Sequence, residues 1–263
     1  MRSLIKYFFI TFMVLSLGSA ALDASPPVVM KVLVLAGNSN ETGYQAITTY
    51  LAEIGVPYQA VLLSTVSPDP SGNRMSKVPL SDAASGRGLY QGIILTNSTL
   101  SACGGSSCLS AADWNTLNAY ASQFSVRMVS YYTVPSAQWG LAAVDSGMLY
   151  TASAPLNVTL TEAGAATFSY LNAANAIPVS GQGSSGIRVY RATAVAASNE
   201  TTTPLLVAGT YTVAVAHTMA DGRETMALTM DNQPGLLHSE AFGYGVINWV
   251  TKGVFLGSRK VYF

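Results

Sequence analysis

Residues 31–63 read KVLVLAGNSNETGYQAITTYLAEIGVPYQAVLL. Their first part continues an apolar run that begins at 28, VVMKVLVLAG, and an unbroken apolar run marks a strand covered on both faces. Ile47, Leu51 and Ile54 then recur at helical spacing until Gly55 stops the helix, and YQAVLL opens a second strand. This is one strand-helix-strand unit, and it sets the expectation for the rest of the chain.

A Pro/Gly/Ser-rich loop, residues 67–90, leads into QGIILTN, a third buried strand. In LSAADWNTLNAYASQF, the residues Leu109, Trp114, Leu117 and Tyr120 or Ala121 form a helical apolar stripe, with Ser110 placed as N-cap. VRMVSYY is the fourth strand. From about 145 to 217 the period changes to short Thr/Val-rich segments broken by turn residues: GMLYTA, LNVTLT, IRVYRATAVAA, PLLVAG and YTVAVAH. DGRETMALTMD gives a strand after an Asp221-Gly222 hairpin turn, and residues 235–254 read as a closing helix. These elements predict an α/β fold, a mainly parallel sheet with helices on both faces, of flavodoxin or amidotransferase-like type. The β-rich part at 145–217 either extends that sheet antiparallel or forms a small layer of its own.

Residues 1–22 carry a short basic start (Arg2, Lys6), an apolar stretch and the small residues Gly18-Ser19-Ala20, as a cleavable secretory signal does. The stretch is shorter than the ~20 residues of a membrane helix, so no membrane anchor is expected after cleavage. The domain is expected at 23–257, with 258–263 beginning something further. Removing the leader leaves eleven Lys and Arg against thirteen Asp and Glu. Nucleic acid is excluded as a partner by the lack of clustered bases. Only 10% of residues are charged, which suits an extracellular protein handling a neutral or weakly charged ligand. Cys103 and Cys108, in CGGSSC, read as a small structural disulfide in such a compartment. Sequons begin at Asn40, Asn97, Asn157 and Asn199, and would carry glycans in a eukaryotic source.

Ligands of α/β sheets bind at the carboxyl ends of the strands. Residues placed there are Asn38, Asn40, Glu41 and Tyr44; Asn97 and Ser98; Tyr131 and Tyr132; and Asp231, Asn232 and Gln233, with His238 at the start of the last helix. Amides, hydroxyls and aromatic rings are groups that pair with sugar hydroxyls and stack on sugar faces. Asn, Asp and Ser also serve as turn and capping residues in such places. GNSNETG lacks the spacing and the Lys of a phosphate loop, and neither G-x-S-x-G nor an elbow Cys near 129–133 is present. His217, ending an apolar strand, reads as a satisfied core or strand-edge histidine. No His-x-x-x-His, His-x-x-Glu or Asp-Asp cluster offers metal ligands, so neither a metal site nor a cofactor is expected in this chain.

KVLVLAG with AITTYLAEIGVPYQAVLL, GLYQGIILTN, ALTMDNQPGLLHSEAFGYGVINWVTKGVFLG and the closing RKVYF resemble the front half of secreted exopolysaccharide deacetylases of the fungal galactosaminogalactan deacetylase family. The resemblance covers essentially all of 28–263 and is most specific in the late segment. It implies a carbohydrate-binding region for an extracellular amino-sugar polysaccharide of cell wall or biofilm, with RKVYF as the first strand of a catalytic domain beyond Phe263. It also implies that the divalent metal and every catalytic residue belong to that following domain. Two other readings remain open: an independent amidotransferase-like hydrolase using His238, Glu240 and Asp231, or a structural spacer.

Overall fold

The structure, a computed structural model, describes residues 26–104, 107–181 and 186–254. The expected leader at 1–22 and the closing RKVYF lie outside them. In chain order the elements are β1 (Val32–Ala36), α1 (Thr42–Glu53), β2 (Tyr58–Leu62), β3 (Ser81–Asp82), β4 (Arg87–Gly88), β5 (Gly92–Leu95), α2 (Ala111–Gln123), β6 (Arg127–Ser130), β7 (Leu141–Tyr150), β8 (Leu156–Leu160), α3 (Glu162–Thr167), β9 (Ile177–Val179), β10 (Arg188–Ala194), β11 (Thr201–Ala208), β12 (Tyr211–Thr218), β13 (Glu224–Leu228) and α4 (Leu237–Val250).

The local signals act as their chemistry dictates. Gly55, at φ 73°, takes the left-handed position after α1. Ser110 and Asp113 form a reciprocal capping box at the start of α2. The other Asp113 oxygen accepts the Met75 N–H at 2.7 Å and ties the long loop to that helix. Cys103 and Cys108 are disulfide-bonded. His217 is buried, with Nδ1 2.8 Å from Thr202 Oγ1 and Nε2 3.7 Å from Glu200, as a satisfied strand histidine should be.

An 11-stranded sheet runs through the molecule. Strands β2, β1, β5, β6 and β13 lie side by side and parallel. Beyond β13 come β12, β11, β8 and β9, each antiparallel to its neighbour, and β10 and β7 form an antiparallel ribbon attached through β12. The expectation of a mainly parallel, flavodoxin-like sheet flanked by helices is thus overturned: six of the eleven strands are antiparallel additions, and the fold is mixed and strand-rich. The reason lies in the connections. A parallel neighbour needs a long crossover, whereas β11–β12 and β12–β13 are joined by tight turns that only antiparallel strands can use. Gly209 (φ 58°) and Gly222 (φ 82°) supply the left-handed positions in those turns.

The parallel strands β1, β5, β6 and β13 are the most deeply covered part of the sheet. One face of the sheet packs on α1 and α4 through Ile47, Leu51, Phe242, Val246 and Ile247. The opposite face packs on α2 through Leu117, Tyr120 and Phe124. With both faces covered, β1 is buried along its whole length.

Candidate functional site

In a sheet that starts at β1, steps to β2 and then returns past β1 to β5, the crevice between the carboxyl ends of β1 and β5 is where a ligand enters. Here that crevice is filled by Glu41. One carboxylate oxygen accepts the Gly37 N–H at 2.8 Å and the Asn38 N–H at 3.3 Å. The other accepts Asn97 Nδ2 at 3.0 Å and the hydroxyl of buried Thr96. The approach is close enough that a Cβ on Gly37 would stand 2.4 Å from the Glu41 oxygen. Asn38 and Asn97 are turn residues as well. Asn38 Oδ1 accepts the Asn40 N–H (2.8 Å), and Asn97 Oδ1 accepts from Thr99 N, Thr99 Oγ1 and Leu100 N. Asn40 is exposed, and Tyr44 packs half-buried against the α1/α4 core.

At the end of β13 the chain does not turn away but continues in extended form. Tyr190 N–H donates to Thr229 O (3.0 Å), Asp231 N–H to Arg188 O (2.9 Å), and Val189 bridges Met230. Strand β10 is therefore docked across the carboxyl edge, and this docking builds the site. Tyr132, following β6, stacks on Tyr190 with ring centroids 5.4 Å apart and an interplanar angle of 26°. Its hydroxyl lies 3.9 Å from Met148 Sδ. Burial pushes the Tyr132 phenol well up, and the neighbouring Tyr190 adds to it.

Asp231 is half-buried between Thr42 Oγ1 (3.4 Å) and Gln233 Nε2 (3.3 Å). Burial pushes its carboxyl up, and these long hydrogen bonds only partly offset that. Tyr131, Asn232 and His238 are buried completely. Tyr131 donates its hydroxyl to Ser239 O (3.2 Å), and Asn232 Nδ2 donates to Tyr131 O (2.6 Å) and Met230 O (3.0 Å). His238 Nε2 is 3.1 Å from the Asp231 carbonyl, which can only accept, so that nitrogen carries the proton. Burial pulls the imidazole below its ordinary value. His238 thus faces the backbone and not the carboxylate of Asp231, while Glu240, two residues on, is exposed.

The structure therefore brings Glu41, Asn97, Tyr132 and Asp231 to one edge and sets Tyr131, Asn232 and His238 behind it as its support. Sequence reasoning did not reach Tyr190, Arg188, Met148 and Tyr150. The only signal for them was the alternation in RVYR and MLY, which shows a face but not what the face meets. Of the expected glycan acceptors, Asn40, Asn157 and Asn199 are exposed and Asn97 is half-buried. Two depressions lie elsewhere, one lined by Thr161, Glu162, Ala163, Ala166 and Pro204, the other including Thr151, Pro155 and Ser180. Among the described residues no three His, Cys, Asp or Glu side chains converge to hold a metal, and no helix is long and apolar enough to cross a membrane.

A family model described as Agd3 CBM87 matches residues 28–249. Among solved structures, the crystal structure of Agd3, described as a novel carbohydrate deacetylase, is 25% identical with a TM-score of 0.70, over 90% of this chain and 34% of that one. This chain thus spans about a third of that relative's length. A putative ThuA-like protein from Bacteroides uniformis ATCC 8492 shares the fold at 13% identity and a TM-score of 0.53, over 92% of this chain and 99% of its own. No curated protein matches.

Proposed function

We infer the function from one premise: the chain belongs to the Agd3 CBM87 family, and so is a carbohydrate-binding region related to a carbohydrate deacetylase. We propose that it is the non-catalytic, polysaccharide-binding part of a secreted exopolysaccharide deacetylase, and that its ligand is an amino-sugar polymer, N-acetylated or partly deacetylated. Hydrolysis would then belong to a metal-dependent domain outside this chain.

The observation that carries the reading is the chemistry of the carboxyl edge. It gathers tyrosines, amides and hydroxyls around two half-buried carboxylates, Glu41 and Asp231, and among the described residues no serine, threonine or cysteine there is hydrogen-bonded to a histidine. Such groups bind sugars by stacking and by hydrogen bonds that water also offers, so affinity should be weak. Calorimetric or NMR titration of the chain with galactosamine-containing oligosaccharides tests it. Saturable binding at up to millimolar ligand is expected, and the absence of any response there rejects the reading.

A further inference from the structure

Resting on that carbohydrate-binding reading, we propose that the sugar-contacting surface is an open platform on the β7–β10 ribbon, formed by Tyr132, Tyr190, Met148, Tyr150 and Arg188. Its ligand is an extended run of several pyranose rings rather than a single sugar held in the β1/β5 crevice.

The register places these side chains together. In the ribbon Tyr190 stands opposite Met148, and Arg188 opposite Tyr150. Directly opposed residues of an antiparallel pair share a face, and so do residues two apart on one strand. The four therefore form a grid, about 5 Å across the strands and about 7 Å along them. Tyr132 joins it from the end of β6 by stacking on Tyr190 and touching Met148. The intervening residues Val189 and Ile187 are buried in the core below, so the ribbon cannot rotate the grid away from solvent.

The platform is open where a polymer would need it. Tyr150 is 57% exposed and Met148 45%. The Tyr150 hydroxyl accepts the Gly186 N–H at 3.2 Å, which pins the ring at one end while leaving its face free. Arg188 is exposed and, among the described residues, forms no ion pair within 4 Å, though the Asp231 carboxylate at the same edge is near enough to be stabilised by its charge. Its backbone is held by Asp231, so the guanidinium starts from a fixed root at the rim of the platform. Among the described residues, strand β7 pairs only with β10.

Pre-set aromatic rings beside an exposed fork of N–H donors suit the apolar C–H face and the hydroxyl rim of a pyranose. They lose little freedom on binding, because the stack and the pinned hydroxyl already hold them. A flat surface of this kind gives one ring little enclosure, and affinity must come from several rings along the grid. The crevice, by contrast, already holds the Glu41 carboxylate on four donors.

The test uses an N-acetylgalactosamine-containing hexasaccharide and free N-acetylgalactosamine, with the chain labelled at its methionine methyl groups. The Met148 signal, identified from Met148→Leu, should shift with the hexasaccharide. The hexasaccharide should bind at least about tenfold more tightly than the monosaccharide, since each ring added along the grid contributes. Tyr150→Ala and Arg188→Ala, both at exposed positions, should each weaken hexasaccharide binding about fivefold or more, as loss of an aromatic or Arg anchor does. Tyr58→Ala, an exposed tyrosine on β2 at the far edge, should leave binding unchanged. Binding that persists equally in Tyr150→Ala and Arg188→Ala, with no Met148 shift, overturns the platform while leaving the carbohydrate-binding reading in place. Failure of the unsubstituted chain to bind either sugar overturns that reading itself. A dimer in sedimentation that Tyr150→Ala dissolves, without a sugar effect, would assign the surface to a second copy of the chain and also overturn the platform.

Discussion

Replacing Glu41 with Gln removes no atoms and should still be costly. The carboxylate meets four donors: two backbone N–H groups on one oxygen, and the Thr96 hydroxyl with Asn97 Nδ2 on the other. A Gln amide must turn its NH2 toward one of these pairs. Facing Gly37 and Asn38 it would oppose two fixed N–H groups. Facing Thr96 and Asn97 it can recruit the rotating hydroxyl as acceptor. Asn97 cannot flip in response, because its Oδ1 is already occupied by Thr99 N, Thr99 Oγ1 and Leu100 N. The cheaper arrangement still leaves one donor against another, and the two backbone bonds lose their charge assistance. Hydrogen bonds to charged groups contribute roughly 1.5–3 kcal/mol against roughly 0.5–1.5 for neutral ones. Glu41 is half-buried, which argues for the lower part of that difference. The expected loss is about 2–3 kcal/mol, or about 5–10 °C in Tm for a domain of this size. Urea unfolding followed by fluorescence and by circular dichroism measures it. Combining the change with Asn97→Ala should cost less than the sum of the two, because the opposed donor is gone. A loss under about 0.5 kcal/mol for Glu41→Gln would show that water, not these four donors, holds the carboxylate.

Arg127 donates to both Glu224 oxygens (2.9 and 3.1 Å) and to Trp249 O (3.0 Å), and lies 4.6 Å from the Trp249 ring centre. With the ion pair discounted for partial exposure, Arg127→Met should cost about 2 kcal/mol in urea unfolding. Gly164→Ala would put a Cβ 1.9 Å from Leu205 O, a backbone atom that cannot step aside, and should cost about 3 kcal/mol or more, read as a fall in Tm and in soluble yield. His238 is neutral in the fold because burial lowers its value. The unfolded chain therefore takes up a proton first as pH falls below about 6.5, and the stability this group contributes is lost from there downward. The slope of unfolding free energy between pH 7.5 and 5.5 should flatten in His238→Gln, whatever the level at pH 7.5.

The parts of the fold legible in the sequence were those whose cause is local. The run before Gly37, the stripe of Ile47, Leu51 and Ile54 ending at Gly55, the Ser110 cap and the Asp221-Gly222 turn each carry their own chemistry, and each stands where it was expected. The mainly parallel sheet that was expected failed because the short strands of the β-rich part, for which an antiparallel extension and a separate layer were both open, join the same sheet antiparallel and outnumber the parallel ones. Strands β3, β4 and β9 have two or three residues and no periodicity to show. The docking of β10 on Thr229–Asp231 is the least legible feature of all. It pairs residues about forty apart through backbone groups, and every residue has those. Tyr132 was placed at the edge from its strand alone. Its partner Tyr190 was out of reach because only that long-range register brings it there.

The filled crevice and the open platform are connected by charge. In sheets that bind nucleotides, backbone N–H groups of the first strand-to-helix turn face a phosphate, and the positive end of the following helix favours the anion. Here the N–H groups of Gly37 and Asn38 face a carboxylate from the chain itself, carried by Glu41 at the N-cap position of α1. An external anion would have to displace Glu41 from four donors and leave that carboxylate without them. The crevice is therefore closed to the ligand class that such folds most often take. A ligand of this protein must be met by groups that do not depend on an open anion hole, and among the described residues the carboxyl edge gathers such groups where β10 crosses it: two stacked phenol rings, a thioether, an exposed tyrosine and an exposed guanidinium. The antiparallel extension that removes the molecule from the flavodoxin pattern is, on this argument, the same feature that supplies its binding surface. Removing the Tyr190 ring while keeping the β10 backbone should leave the fold standing and the surface without its centre.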